Sequence, residues 1–432
     1  MCYAIPGKVV EIGKRGLVVD YFGEQRSVIN EFNEPVSVGD YVYAQSGIVV
    51  KKISEKEALL ILEDWKELFF KLKEQDLLLA KTKEVPIKAD VRAILEKRGA
   101  LLEREELLYL LKIKDKEELK ALFQAANALR QEQLQNSCCV HGILEFSNYC
   151  RNMCTYCGIR ATNKKLERYR LMPDEIVQLA EEAVNKHGFK ALVLQSGEDL
   201  WYSDEKLLEI VKRIRKRCGA LLFLSIGTRS LECYTALYEA GARGVLIRFE
   251  TSNPRLYARF HSGPKADLKY RLELLKHAKQ LGYIIITGSL IGLPGQTEED
   301  LVNDILLAKS LGTEMYSFGP LIATTKRSGA SRRDIATVLK VLAVSRLADP
   351  NAKILVTTAL ETLDEEGRRL GLLAGANSLM LNVTPPACRK RYAIYPNRVG
   401  NEISVEQNIQ KTRELLFALG RAPTDLGIRP LA

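Results

Sequence analysis

From residue 141 to the C-terminus, short apolar runs alternate with helical patterns, and this alternation constrains the fold more than any other feature of the chain. The candidate strands are residues 142–146, 191–194, 221–225, 245–249, 283–286, 315–318, 353–356 and 378–381. They are rich in Val, Ile, Leu and Phe, as strands buried on both faces must be. The intervening helical patterns have clear ends. Pro173 opens one at its first-turn position and Gly188 closes it, while Thr297 starts another that Gly312 ends. Strand and helix in strict alternation predict a (β/α)8 barrel over residues 139–432. The functional consequence is positional, because the working groups of such a barrel lie on loops beyond the C-terminal ends of its strands. The unusual residues fall there in register. Three cysteines follow the first strand, and residues 196–199, 226–229, 250–253 and 288–295 follow the next four. Gly319-Pro320, Thr357-Thr358 and residues 382–386 follow the last three.

Cys150, Cys154 and Cys157 have the spacing C-x3-C-x2-C. Each can give a thiolate to one iron of a [4Fe–4S] cluster, which four cysteines normally close. With three, one iron keeps a position open to a ligand. The alternative is a zinc site, with Cys138, Cys139 or His141 as a further ligand. Together with Tyr156, the motif resembles the signature of the radical S-adenosylmethionine enzymes. That resemblance implies that the open iron chelates the methionine end of S-adenosylmethionine, and that an electron from the cluster breaks the sulfonium C–S bond to give a 5′-deoxyadenosyl radical.

The later loops have cofactor and structural readings side by side. Gly197 permits close backbone approach, and Glu198 and Asp199 offer carboxylates to an ammonium group, or simply cap a loop. Glu250 and Thr251 suit ribose hydroxyls, or cap the helix that Pro254 begins. Residues 292–295, with Leu293, lack the Gly-Lys-Ser/Thr ending of a phosphate loop and read instead as a backbone wall against adenine. Arg271 suits the methionine carboxylate, or is a surface arginine. His187, His261 and His277 stand in charged helical contexts and read as solvent-facing. Cys218, Cys233 and Cys388 are isolated and read as packing or free thiols.

Residues from about 140 onward resemble the HydE family of [FeFe]-hydrogenase maturases and, less closely, methylornithine synthase and biotin synthase. The resemblance rests on Glu145 to Asn148 leading into the cysteine loop, Arg168-Tyr-Arg170, Leu194 to Asp199, Glu250-Thr251, Gly292 to Thr297, Thr357 to Ala359, and Arg389 with Tyr392, Tyr395 and Pro396. It implies a small-molecule or small iron-complex substrate in the barrel, with Arg248, Thr357, Thr358, Tyr392 and Tyr395 as candidates for the wall. It also implies a low-potential electron donor. The chain departs from the family at Phe249, at Thr228-Arg229, in the 321–328 loop and at Cys388, positions that face the cavity in the family. These departures bear on the substrate. A radical enzyme for a non-metal substrate, such as an amino-acid mutase or a carbon–sulfur enzyme, and an inactive iron-carrying scaffold are the alternatives.

Residues 1–53 carry five short strand patterns with Gly and Asn-rich turns and no helix between them, which suggests a small OB-like β-barrel. Ser54 and Glu57 then signal a helix start. We place one unit at 1–80, barrel plus helix, and a helical connector of three helices at 84–138. The opening run Met1-Cys-Tyr-Ala-Ile-Pro-Gly-Lys8 resembles the HypC/HupF chaperones of hydrogenase assembly. In that family the cysteine at this place ligates iron, which makes Cys2 a candidate metal ligand. The resemblance also implies other hydrogenase maturases as partners of the N-terminal domain.

The formal charge of +10 is mostly intermingled with acidic residues, as on a solvated helical surface. No basic stripe is interleaved with stacking aromatics, which argues against a nucleic-acid partner. No apolar run is long enough to span a membrane and no signal-peptide core follows Met1. Nine unevenly spaced cysteines do not read as a secreted disulfide framework, so a reducing cytoplasm is the expected location.

Overall fold

The structure, a computed structural model, describes residues 5–13, 16–31, 34–97, 101–264, 266–322 and 335–424. Cys2, Gly99 and most of the 321–328 loop lie outside the described residues. Strands β1 (Gly7–Gly13), β2 (Gly16–Tyr21), β3 (Glu24–Val28), β4 (Tyr41–Gln45) and β5 (Ile48–Ile53) form an antiparallel sheet in the order β3-β2-β1-β4-β5. Its ends meet through Ile29, whose N–H donates to Gly47 O (2.8 Å) and whose carbonyl accepts from Val49 N (2.9 Å), so the sheet closes on itself. Strict alternation along β2 puts Leu17, Val19 and Tyr21 inside. Gly7 is obligatory there, because a Cβ would stand 2.2 Å from Val19 Cγ1.

Ser54 caps the helix Glu55–Ala80, its hydroxyl accepting from Glu57 N, and Trp65, Phe69 and Leu72 of that helix seal the small barrel's core. Three helices follow, Ala89–Glu96, Arg104–Lys112 and Lys116–Leu134, as the periodicity predicts. A buried polar latch ties these pieces together. Asp76 accepts two hydrogen bonds from Arg130 (2.7 and 2.8 Å) and pairs with Arg421 Nε at 2.8 Å, while Asn127 Oδ1 accepts from both arginines. None of the three charged side chains is more than 1% exposed.

The remaining chain builds a parallel barrel from β6 (Cys139–Ser147), β7 (Ala191–Ser196), β8 (Leu221–Ser225), β9 (Gly244–Leu246), β10 (Ile284–Thr287), β12 (Met315–Tyr316), β14 (Lys353–Ile354) and β15 (Ser378–Asn382). A Leu355–Ser378 bridge joins its two ends. Above β10 and β12, β11 (Leu290–Ile291) and β13 (Gly319–Pro320) form a short parallel pair. Several strands are shorter than the apolar runs suggest. β9 stops at Leu246, and Ile247 to Phe249 are already bending toward the loop that holds Glu250. Among the described residues no helix is long and apolar enough to cross a membrane.

The small N-terminal barrel does not stand apart. Tyr41, Tyr43, Ile48, Val50 and Ile53 pack directly on Ala191, Leu221, Phe223, Ile284 and Met315, which fill the lower interior of the large barrel. Lys190 Nζ sits 4.4 Å from the centre of the Tyr43 ring, and Arg243 pairs with Glu31. The small barrel therefore covers the N-terminal ends of the parallel strands, opposite the cysteine loop.

Candidate active site

The loop after β6 is held by three backbone bonds to two distant segments, residues 260–262 and Ile394. Met153 N donates to Ser262 O (2.7 Å), Thr155 N to Phe260 O (3.0 Å) and Gly158 N to Ile394 O (2.7 Å). Two glycines let the chains approach this closely. A Cβ on Gly158 would lie 2.0 Å from Ala393 O, and one on Gly197 would lie 2.2 Å from Tyr149 O and 2.7 Å from Cys150 Cβ. Cys150, Cys154 and Cys157 all line one cavity of about 320 Å³ running into the barrel. Burial, and then the negative charge of neighbouring thiolates, pushes the Cys154 thiol up to about 12 and raises Cys157 further. Burial also raises Cys150, although Asn152 N and Glu198 N point at its sulfur from 3.4 Å.

The carboxylates near the cysteines divide into two kinds. Glu198 lines the cavity and is held by three hydrogen bonds, its Oε1 accepting from Thr228 N and Oγ1 (both 2.9 Å) and its Oε2 from Arg151 Nε (3.0 Å). Asp199 is structural. Arg170 grips it through two hydrogen bonds of 2.7 and 2.9 Å, Ser147 donates at 2.6 Å, and it does not reach the cavity. Glu250 differs. It lines the cavity with a left-handed backbone (φ 67°), a conformation that costs a non-glycine residue on the order of 1–3 kcal/mol. Its Oε2 lies 3.2 Å from Arg248 Nη2 without a well-formed hydrogen bond, and burial raises its carboxyl above the ordinary range.

Arg271 is buried, which removes the surface-arginine reading. It donates from Nη1 to Arg248 O (2.8 Å) and from Nη2 to His261 Nε2 (2.9 Å). His261 corrects the expectation that it faces solvent, since it is 5% exposed and lines the cavity. An arginine can only donate, so His261 Nε2 accepts and its proton sits on Nδ1. That Nδ1 lies 2.5 Å from Tyr156 OH and 3.3 Å from Cys154 Sγ. Burial and the Arg271 charge pull the imidazole well below its usual value, so it stays neutral. His187 and His277 are partly exposed, the latter bonded to Thr235 Oγ1.

The structure brings Tyr156, Gly197, Glu198, Arg248, Glu250, Arg271, Thr357, Thr358, Tyr392 and Tyr395 to the same cavity. It does not bring Thr251 or Leu293 there. Thr251 Oγ1 accepts from Asn253 N, and Leu293 packs against Leu256, Phe260 and Leu290. Phe249, Thr228, Arg229 and Cys388 do not line it either. Phe249 is core, and Thr228 and Arg229 instead hold Glu198 and the carbonyl of Asp199. Only Leu321 and Ile322 of the divergent loop reach the cavity among the described residues. Cys138, Cys139 and His141 sit at the other end of β6, so they supply no ligand beside Cys150.

Sequence reasoning missed Glu145 and Arg398. Arg398 Nη1 lies 2.6 Å from Glu145 Oε1 at the cavity wall, and Asn382 donates to the other carboxylate oxygen at 2.7 Å. A carboxylate inside an otherwise apolar strand, Ile-Leu-Glu-Phe, was the available signal.

The chain matches the Radical SAM superfamily over residues 144–308 and the HupF/HypC family over residues 1–65. It is 39% identical over 335 residues to the [FeFe] hydrogenase maturase subunit HydE of Thermotoga maritima, covering 77% of this chain and 95% of that protein. To the 3-methylornithine synthase of Methanosarcina barkeri it is 28% identical, covering 67% of this chain and 81% of the other. In fold it is similar to the crystal structure of methylornithine synthase (PylB), with a TM-score of 0.66 at 23% identity over 78% of this chain and 98% of that one.

Proposed function

The chain belongs to the HydE family of radical S-adenosylmethionine enzymes, and from that premise we propose that it processes a small iron-cofactor precursor in hydrogenase maturation. The enzyme uses a [4Fe–4S] cluster and S-adenosylmethionine. The residues present fit both. Three thiols, Cys154 buried and Cys150 and Cys157 half-buried, line one cavity, and their raised proton affinities mark a place where only a bound cation makes three thiolates favourable. Beside them, Glu250 Oε2, Arg248 Nε and Arg271 Nε are buried polar atoms without hydrogen-bond partners.

Cys150, Cys154 and Cys157 would hold the cluster. When bound, the pair supplies an electron and a 5′-deoxyadenosyl radical to the cavity. The residues of the chain do the positioning. Gly197 and Glu198 would meet the amino group of the cofactor, Arg271 its carboxylate and Glu250 its ribose hydroxyls. Tyr156 packs beside the third cysteine, and its hydroxyl is held by the neutral His261. Thr251 and Leu293 would act only by supporting the walls. On the same cavity wall Arg248, Thr357, Thr358, Tyr392 and Tyr395 would contact substrate, and Thr357 Oγ1 is another buried atom without a partner.

The observation that carries the reading is one cavity lined by three thiols together with hydroxyl and arginine groups. A low-potential donor would supply the electron, and the N-terminal domain would meet other maturases. Infrared spectra of enzyme from cells making active hydrogenase should show Fe–CN or Fe–CO bands. Turnover of an iron-free amino acid, with no such bands, overturns the iron substrate.

A further inference from the structure

We propose that the underside of the large barrel holds a second metal site, formed by Cys139 and His141, that takes a thiolate- and imidazole-binding divalent metal such as iron(II). It is separate from the cysteine loop and does not depend on radical chemistry.

The two side chains project inward from alternate positions of β6. Cys139 Sγ lies 3.0 Å from His141 Nε2, and both residues are essentially inaccessible, at 1% and 0% exposure. Gln45 of the small barrel donates from Nε2 to Cys139 Sγ at 3.1 Å. A tetrahedral metal with S and N bonds of about 2.3 and 2.0 Å separates its sulfur and nitrogen by about 3.5 Å. A small rotation of either side chain reaches that spacing. A further sulfur is close by, because Ser378, paired with Cys139, donates to Met315 Sδ at 3.5 Å. Thiolate, imidazole and neighbouring thioether make a soft donor set.

The surroundings make a packing explanation expensive. Ala191, Val193, Leu221, Phe223, Ile284 and Ile286 fill the rest of this layer, and the His141 ring lies 4.9 Å from Phe223. An imidazole and a thiol in such a layer carry a desolvation cost that two aliphatic side chains would avoid.

Position gives the pair a role. Along β6 the next inward residue after His141 is Ile143, which lines the catalytic cavity. Two residues of a strand advance about 6.6 Å, so the metal would lie one layer beneath the cavity floor. From below, the small barrel supplies the cover. β1 pairs Gly7 with Val42 and Lys8 with Tyr41, so the chain entering β1 comes in beside the end of β4 that carries Gln45. Ile5 is fixed there, its N–H bonded to Thr424 Oγ1 at 3.4 Å. The site would therefore stand between the catalytic cavity above and the small barrel below.

The test uses the full chain with Cys150, Cys154 and Cys157 all changed to Ser, so that the cluster loop binds no metal, and cobalt(II) as the probe. We expect one tight equivalent with a thiolate-to-cobalt charge-transfer band in the near ultraviolet. Cys139→Ser should abolish the band and weaken binding at least tenfold. His141→Gln should keep a thiolate band but shift the ligand-field bands. Circular dichroism of each variant, with Cys139→Ala as a second replacement, shows that the barrel is folded. A band that survives in folded Cys139→Ser or Cys139→Ala protein overturns the site. So does a band that Cys2→Ser removes while Cys139→Ser leaves it, and so does the absence of any band before either change.

Discussion

Gly197→Ala is the sharpest single perturbation of the catalytic end. The backbone φ of Gly197 is ordinary, so the effect is purely steric. The new methyl carbon would start 2.2 Å from Tyr149 O and 2.7 Å from Cys150 Cβ. Carbon and oxygen need a little over 3 Å, so one strand end or the other must retreat by about 1 Å. Neither can do so freely. Gly197 N is bonded to Ser147 O at 3.0 Å, and the next residue holds Thr228 and Arg151 through its carboxylate. The retreat therefore falls largely on Cys150. Metal–ligand distances tolerate about 0.2 Å, so a displacement of about 1 Å takes Cys150 out of a shared cluster. Folding stability should fall by about 1–3 kcal/mol, the usual cost of overpacking. Cofactor cleavage should fall by about 100-fold or more, as for a misplacement of this size in an active site. The assay is iron and sulfide content after anaerobic reconstitution, with 5′-deoxyadenosine formed under reductant. A folded Gly197→Ala protein with wild-type iron content and cleavage within threefold of normal refutes the account of the loop.

Other expectations follow from the same geometry. Cys154→Ser should lower iron content and abolish cofactor cleavage, whereas Cys388→Ala, off the cavity and beside Arg391, should keep both; equal iron content in the two variants would count against the cluster assignment. Asp76→Ala leaves Arg130 and Arg421 buried without their carboxylate and should cost about 3–5 kcal/mol in urea unfolding; a loss under about 1 kcal/mol would mean the latch carries little. Asp304 has its carboxyl raised to about 6 by burial, against an unfolded value of 3.8. Its folded form binds the proton more tightly, so its contribution to stability is greatest below pH 4, falls as pH rises to about 6, and is level above. The loss is on the order of 2–3 kcal/mol. The difference in urea midpoint between wild type and Asp304→Asn, followed from pH 4 to 7, should shift in favour of the variant; a flat difference disproves the coupling.

The barrel was legible because its strands are buried on both faces, and the cysteine loop because ligand spacing is local. The small barrel's docking was not, since it is a tertiary event, yet a trace of it exists. β4 is buried at all five positions, and a strand of a free-standing small barrel would alternate. His261 escaped notice for a related reason. Charged and polar neighbours suggested solvent, but the hydrogen bond from Thr155 N to Phe260 O pulls that segment against the cysteine loop. The departures at Phe249, Thr228, Arg229 and Cys388 suggested an altered cavity wall. Their side chains instead pack or brace other groups, and whether a loop residue faces in or out is set by backbone turns that residue identity does not encode.

The cover over the barrel's base has a kinetic consequence. The small barrel is joined to the large one through the chain itself, so its contact is intramolecular, with an effective concentration in the millimolar range. The opening and closing rates of this contact are therefore independent of how much protein is present. When it opens, the partner cannot diffuse away. Access to the base of the barrel is then timed by a local motion, while supply at the mouth still depends on diffusion from solution.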